Sequence, residues 1–177
     1  MKHLLTTLLL VTTIAGSSQA QTVFEGCLTY RSVSDLSQSE YYEYHKGNKV
    51  LTDRPSEGIK MVYDHTNGTL MTGKSAYGER LAEINATVLA EPVEVDGHKC
   101  IELHYDTVSH GTEISTVEWV DTTYDIIFHS GQIKSVTHGL LVRSRHTFRL
   151  PGLPTMTTTT RLVKMEEQIL SEKLFDL

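Results

Sequence analysis

The stretch VDGHKCIELHYD, residues 95–106, decides the fold of this chain. Asp96-Gly97 favours a two-residue turn between antiparallel strands, because both residue types tolerate the positive φ that such a turn needs. After the turn the side chains alternate, and every second one is large and apolar: Ile101, Leu103 and Tyr105. A period of two is typical of a β-strand with one face turned inward. The stretch therefore predicts an antiparallel hairpin.

The same alternation recurs on both sides of this hairpin. YYEYH and KVLTD flank Lys46-Gly47-Asn48, which predicts a second hairpin. The turn His65–Gly68 is followed by a short return strand over residues 69–72. Further strands are predicted over residues 23–31, 59–64, 115–120, 140–150 and 155–166. Closely spaced antiparallel strands predict a mainly β fold in which one sheet curls around a core or a cavity.

Residues 77–90 fit two patterns. Tyr77, Leu81, Ile84 and Val88 have the spacing of one helical face, whereas the run from Ala82 to Ala90 alternates as a strand does. The pattern alone leaves helix and strand open.

The amino terminus has the features of a secretory signal peptide. Lys2 is followed by an apolar stretch, Leu4–Ile14, and then by AGSSQA. The apolar stretch falls short of the roughly 20 residues that a membrane-spanning helix needs. We predict a signal peptide over residues 1–20, cleaved after Ala20, and a single domain over residues 21–177 that works in the periplasm or is secreted.

The charge of the chain argues against nucleic acid as a partner. The formal net charge is −6, and removal of Lys2 with the signal peptide makes it −7. Proteins that bind nucleic acid carry basic patches that neutralise phosphates, and the charges here are scattered. We expect a monomer that binds no nucleic acid.

The segment GTLMTGKS, residues 68–75, matches the pattern of a phosphate-binding loop. Such a loop must follow a buried parallel strand and open a helix, so that backbone N–H groups face the phosphates. The flanking pattern here is an antiparallel meander. We therefore interpret Gly68 and Gly73 as turn residues at the two ends of a short strand, and we expect no bound nucleotide and no other cofactor.

Polar side chains with metal-binding potential share one side of the strand after Asp96-Gly97: His98, Cys100, Glu102, His104 and Asp106. His98 and His104 lie six residues apart, about 20 Å along a strand, so they cannot hold one zinc ion together. We interpret this row as the polar face of a strand and predict no metal site. No G-x-S-x-G segment or other nucleophile motif predicts a catalytic residue.

Cys27 and Cys100 are candidates for a disulfide, since an exported protein meets an oxidising compartment. The sequence does not show whether their strands are neighbours, so paired and separate thiols both stay open.

Several segments follow one another in a suggestive order along the chain: FEGCLTY, YYEYHKGNKV, VDGHKC, EWVDTTY, TTTTRLVKMEE and LFDL. This order resembles the LolA/LolB-like superfamily, especially a secreted bacterial branch with a similar hairpin and a G-x-K-C turn. The resemblance covers residues 24–177. It implies an antiparallel half-barrel with short helices or loops on its concave face, and a cavity for acyl chains of lipids or lipoproteins. His45 and Asp53 depart from that branch, so the carrier activity itself is not transferred.

Strand alternation then gives candidates for the wall of an apolar cavity: Phe24, Leu28, Tyr30, Met61, Tyr63, Ile101, Leu103, Tyr105, Trp119 and Phe148. For each of them, an ordinary core position is the competing interpretation. The predicted function is a non-enzymatic binding protein whose partner is a lipid or a lipoprotein acyl chain. The alternatives are a structural module of the cell envelope with a filled core and, third, an enzyme.

Overall fold

The computed structural model describes residues 22–72, 75–78, 86–126 and 138–177. They form thirteen β-strands and one short 3-10 helix, so the predicted mainly β fold is confirmed. The predicted signal peptide, residues 1–20, lies outside the described residues. In the described ranges, no helix is both long enough and apolar enough to span a lipid bilayer.

Seven strands make up the amino-terminal part: β1 Thr22–Val23, β2 Gly26–Ser34, β3 Gln38–Lys46, β4 Lys49–Arg54, β5 Ile59–Asp64, β6 Thr69–Thr72 and β7 Ser75–Gly78. The other six are β8 Thr87–Val95, β9 His98–Ser109, β10 Thr112–Asp121, β11 Tyr124–Asp125, β12 Leu140–Arg149 and β13 Met156–Glu167. The 3-10 helix, Glu172–Phe175, follows the last strand.

Eleven of the strands form one antiparallel sheet in the order β7-β6-β5-β4-β3-β2-β13-β12-β10-β9-β8. It consists of two meanders, β2 to β7 and β8 to β13, which are joined where β2 pairs with β13. The short strands β1 and β11 pair in parallel as a separate two-stranded sheet.

Both predicted hairpins are confirmed. Val95 pairs with His98, and the turn residues Asp96 and Gly97 have φ of 49° and 83°. Lys46 pairs with Lys49 around Gly47, whose φ is 54°. Positive φ at the turn gives a twist that matches the twist of the two strands, which is why these short sequences specify hairpins.

Two segments with ambiguous patterns are strands where the structure describes them. Within residues 77–90, Tyr77 and Gly78 belong to β7 and Thr87 begins β8, while residues 79–85 lie outside the described residues. In the segment 68–75, Gly68 precedes β6, and β6 pairs with β7 in antiparallel register. Ser75 therefore opens a strand, whereas a phosphate-binding loop leads into a helix.

The sheet is strongly curled. Leu70 on β6 and Tyr105 on β9 line the same cavity, although seven strands lie between β6 and β9 in the sheet. In a flat sheet these strands would be about 38 Å apart, at about 4.8 Å per strand. We call the face that lines this cavity, which includes Thr52 and Met61, the concave face. The predicted antiparallel curled sheet is therefore confirmed.

The opposite, convex face carries an apolar row across four neighbouring strands: Tyr44, Leu51, Val62 and Met71. Leu170 and Phe175 pack on Leu51 and Val62, so the carboxyl-terminal segment covers this row. The 3-10 helix thus lies on the convex face. On the concave side, the connections between strands contribute Ser37 and Glu57.

The main core cluster lies where the two meanders meet. Leu28 and Tyr30 on β2 pack with Leu140 and Val142 on β12. Cys100 on β9 belongs to the same cluster and is fully buried. Tyr30 also donates a hydrogen bond of 3.1 Å to the carbonyl of Leu141. A smaller cluster forms around Leu103 and Val120.

Cys27 and Cys100 are both free thiols, so pairing between them is not part of this structure. Their strands, β2 and β9, are separated in the sheet by β13, β12 and β10. That spacing is about 19 Å along the sheet, whereas a disulfide joins Cα atoms less than about 7 Å apart. The order of strands in the sheet is what keeps the two cysteines apart.

Replacement of Gly26 by alanine should destabilise the junction between the meanders. A Cβ at Gly26 would lie 2.0 Å from the carbonyl oxygen of Glu166 on β13. We expect the free energy of unfolding, measured by urea denaturation, to fall by about 3 kcal/mol. Gly47→Ala is the control, because its Cβ meets nothing within 4 Å and only the positive φ opposes it, at about 1 kcal/mol. A loss at Gly26 no larger than at Gly47 would contradict this account.

Both thiols should be unreactive in the folded protein. Burial raises the pKa of Cys100 to about 12 and also raises that of Cys27. Because the thiolate is the reactive form, Ellman's reagent should react slowly with native protein. In concentrated guanidinium chloride it should titrate two thiols without prior reduction. A count that rises only after reduction would show a disulfide instead.

Candidate functional site

The concave face holds a cavity of about 630 Å³. A volume of this size is in the range of small-molecule sites, which are about 300 to 1,000 Å³. Apolar side chains supply part of its wall: Met61, Leu70, Leu141 and Phe148. Three tyrosines add aromatic rings with a polar tip: Tyr41, Tyr63 and Tyr105. This part of the lining, which we call the wall, is therefore apolar and aromatic.

Hydroxyl groups supply much of the remaining lining. Eight serine and threonine side chains line it: Ser32, Ser34, Ser37, Ser39, Thr52, Ser144, Thr158 and Thr160. We call the members of this set on β2, β3, β12 and β13 the hydroxyl floor. The cavity is thus amphipathic, because its lining combines apolar with hydrogen-bonding side chains.

The hydroxyl floor follows from strand register. Ser39 lies opposite Ser32, Ser32 opposite Thr160, and Thr160 opposite Ser144. Directly opposite residues on antiparallel strands point to the same face, so these side chains form a row across four strands. Ser34 and Thr158 begin a second row beside it, which continues through His146.

Hydrogen bonds hold part of this floor. Thr160 Oγ1 donates to Ser32 Oγ at 3.3 Å, and Ser144 Oγ lies 3.2 Å from His146 Nε2. The other ring nitrogen of His146, Nδ1, lies 3.1 Å from the hydroxyl of Thr116. Fixed partners hold these groups in one geometry, which a selective binding site requires.

Ser144 and His146 also have the separation of a nucleophile and its base. In a serine hydrolase a carboxylate contacts the second imidazole nitrogen and orients the ring. Here the Thr116 hydroxyl occupies that position. Glu118, opposite Ser144 on β10, accepts a hydrogen bond of 3.0 Å from the Tyr105 hydroxyl.

Arg54 and Glu57 place two charged groups in the cavity lining. The Arg54 guanidinium carbon is 5.0 Å from the centre of the Tyr41 ring, and that ring stacks on Tyr30 at 5.1 Å. Arg54 Nη1 also lies 3.3 Å from a carboxyl oxygen of Glu57 in the following turn. This stack fixes the Tyr41 ring at the edge of the cavity.

Burial changes the acidity of the tyrosines here. It raises the pKa of Tyr105 well above its usual range, and the neighbouring Glu118 raises it further. Burial, and then Glu43, likewise raises the pKa of Tyr41. Both phenols therefore keep their protons and act as hydrogen-bond donors through the physiological pH range.

The ten residues predicted for a cavity wall divide into two groups. Met61, Tyr63, Tyr105 and Phe148 line the cavity. The other six belong to the clusters of the core or pack against them: Phe24, Leu28, Tyr30, Trp119, Ile101 and Leu103. Ligand contact at the first four stays a prediction.

The polar row on β9 separates into local pairs. His98 Nδ1 lies 3.0 Å from Asp121 on β10, and His104 pairs with Glu102 on its own strand. Within residues 22–72, 75–78, 86–126 and 138–177, no three His, Cys, Asp or Glu side chains converge as metal ligands.

The hydroxyl floor was missed by the sequence analysis. Ser32 and Ser34 continue the alternation of Leu28 and Tyr30, but they belong to a polar stretch that suggests a loop. The signal that could have found them is the two-residue alternation of the strand. If the predicted strand is extended past residue 31, Ser32 and Ser34 fall on the same face as Leu28 and Tyr30.

No model of a known protein family matches the sequence, and no curated protein matches it. One solved structure with similarity is the crystal structure of a LolA superfamily protein from Nitrosomonas europaea. The alignment covers 88% of this chain and 90% of that chain, with 11% sequence identity and a TM-score of 0.36.

Tyr105→Phe should destabilise the protein by removing the donor that faces Glu118. The Glu118 side chain is buried, and loss of a hydrogen bond to such a group costs about 1 to 3 kcal/mol. Tyr63→Phe on the same face is the control, and we expect a change below about 0.5 kcal/mol. Thermal unfolding monitored by circular dichroism would measure both. Equal effects of the two substitutions would show that the Tyr105–Glu118 bond contributes nothing.

Proposed function

We propose that this protein is a non-enzymatic binding protein and that its concave cavity holds an amphipathic ligand with an acyl chain, such as a lipid or the lipid part of a lipoprotein. The observation that carries the proposal is the mixed lining of the cavity, in which apolar and aromatic side chains occur together with the hydroxyl floor. A ligand that is apolar at one end and polar at the other matches both kinds of lining.

The apolar wall supplies the affinity in this proposal. Burial of one methylene stabilises binding by about 0.8 kcal/mol. A chain of six methylenes beside Met61, Leu70 and Phe148 would thus contribute about 5 kcal/mol before the loss of motional freedom is subtracted. The hydroxyl floor then sets the direction in which the ligand lies.

Export to the periplasm or the cell exterior is part of the proposal. It is supported by the sequence of residues 1–20, with Lys2, the apolar stretch and the small residues before Gln21. Lipids and lipoproteins that cross an aqueous compartment need their acyl chains shielded from water, and a curled sheet with a greasy inner wall provides such a shield.

Native mass spectrometry of the mature protein tests the proposal. We expect complexes with added short-chain phospholipid or octanoate, and Leu70→Gln should weaken them about tenfold because it puts a polar amide in the apolar wall. Leu153→Gln is the matched control, since Leu153 is exposed outside the cavity, and it should bind as the parent does.

A protein that stays ligand-free with every amphiphile would favour the structural module of the envelope with no ligand. Equal weakening by Leu70→Gln and Leu153→Gln would place any lipid binding elsewhere than the concave cavity.

A further inference from the structure

The hydroxyl floor also indicates which polar group the ligand carries. We infer that the cavity recognises an uncharged, hydroxyl-rich headgroup, so that the ligand is a glycolipid or a related alkyl glycoside. This inference rests on the proposed function and specifies the chemical class of the ligand at the same site.

The first step is the balance of charge in the cavity. Arg54 is the one lysine or arginine among the described residues that line it, and it already lies beside Glu57. Glu57 and Glu118 contribute two carboxyl groups to the lining. An anionic headgroup would face these carboxyls, whereas a cationic headgroup would face Arg54. A neutral headgroup avoids both repulsions.

The second step is the type of hydrogen-bonding group. A hydroxyl donates one hydrogen bond and accepts up to two, and it can rotate to suit its partner. Sugar hydroxyls have the same dual capacity. Eight serine and threonine hydroxyls, together with the Tyr105 phenol, therefore match a polyol better than a phosphate, which only accepts, or an ammonium group, which only donates.

The third step is burial. Three of these hydroxyl-bearing side chains are more than nine-tenths buried: Thr52 at 7% exposed, Thr160 at 6% and Ser144 at 2%. Thr160 has its partner, Ser32, in the floor, and Ser144 has its partner in His146, which also lines the cavity. No hydrogen bond in the described part of the chain engages the Thr52 hydroxyl, and that residue lines the cavity beside Met61. A ligand hydroxyl that enters the cavity would give this group a hydrogen-bond partner.

The fourth step is the aromatic surface. Tyr41, Tyr63, Tyr105 and Phe148 all present rings to the cavity. The C–H face of a pyranose ring is flat and apolar, and it packs on an aromatic ring while its hydroxyl edge reaches polar groups. Rings and hydroxyls in the lining of one cavity can give both contacts to a single sugar.

Isothermal titration calorimetry with matched octyl amphiphiles below their micelle concentrations tests this inference on the mature protein. The probes are octyl β-D-glucoside, octanoate and octyltrimethylammonium, which share a chain and differ in headgroup. We expect octyl glucoside to bind at least about tenfold tighter than the two charged probes, because a site built for hydroxyls loses its bonds to a headgroup without them.

Thr52→Val separates headgroup recognition from the fit of the chain. This substitution removes the hydroxyl with little change in shape. It should lower the affinity for octyl glucoside about fivefold and leave the affinity for octanoate unchanged. Thr147→Val, on the other face of β12, is the matched control and should leave both probes unchanged. Circular dichroism confirms that each variant is folded.

Each outcome separates the two proposals. Equal affinity for all three octyl probes, or no effect of Thr52→Val on octyl glucoside, overturns the inference about the headgroup and leaves the amphiphile proposal standing. If methyl β-D-glucoside binds as tightly as octyl glucoside, the sugar site is supported. The proposed contribution of the ligand's alkyl chain is then wrong. Failure of every probe to bind overturns both.

Discussion

The pairing of β2 with β13 is the constraint on which the rest of the structure depends. Through this pairing the amino-terminal and carboxyl-terminal meanders form one continuous sheet. Ser32 meets Thr160 across this junction, so the row of hydroxyls exists only when the two strands are in register. Leu28 and Tyr30 on the same strand anchor the main core cluster. Gly26 permits the approach, because Glu166 leaves no room for a side chain there. One long-range strand pair thus supports both the fold and the cavity.

Strand register also explains how one sheet can carry apolar residues on both faces and still place hydroxyl groups in the cavity. Successive residues of a strand point to opposite faces, so Leu51 packs under the carboxyl-terminal segment while Thr52 lines the cavity. Three irregularities adjust the pairing of the described strands: one on β13 between Leu162 and Lys164, one between β10 and β12 at Trp119 and Val120, and one on β8 between Leu89 and Val93. At each of them the register between two paired strands shifts within the strand. Such bulges add local twist and bend to a sheet. They contribute to the curl that closes the cavity.

Local sequence predicted local structure well. Asp96-Gly97 and Gly47-Asn48 specify hairpins through backbone geometry alone, and the alternation of Ile101, Leu103 and Tyr105 specified their strand. The position of a strand in the sheet was not predictable in this way, because no local pattern records that β2 lies beside β13 and four positions from β9. That is why the disulfide between Cys27 and Cys100 stayed open and why the wall of the cavity was predicted only in part. The serines of the floor carry no apolar signal, so only their shared register reveals them.

The covering of the convex face by Leu170 and Phe175 has a consequence for the order of events during biosynthesis. Leu51 and Val62 are synthesised before Leu170 and Phe175, and they stay uncovered until that later segment has been made. The same holds for β2, whose partner β13 follows it in the chain after all the other strands of the main sheet. The amino-terminal meander is therefore only partly covered during this interval, and a chaperone that binds it then would contact the apolar convex face of β4 and β5.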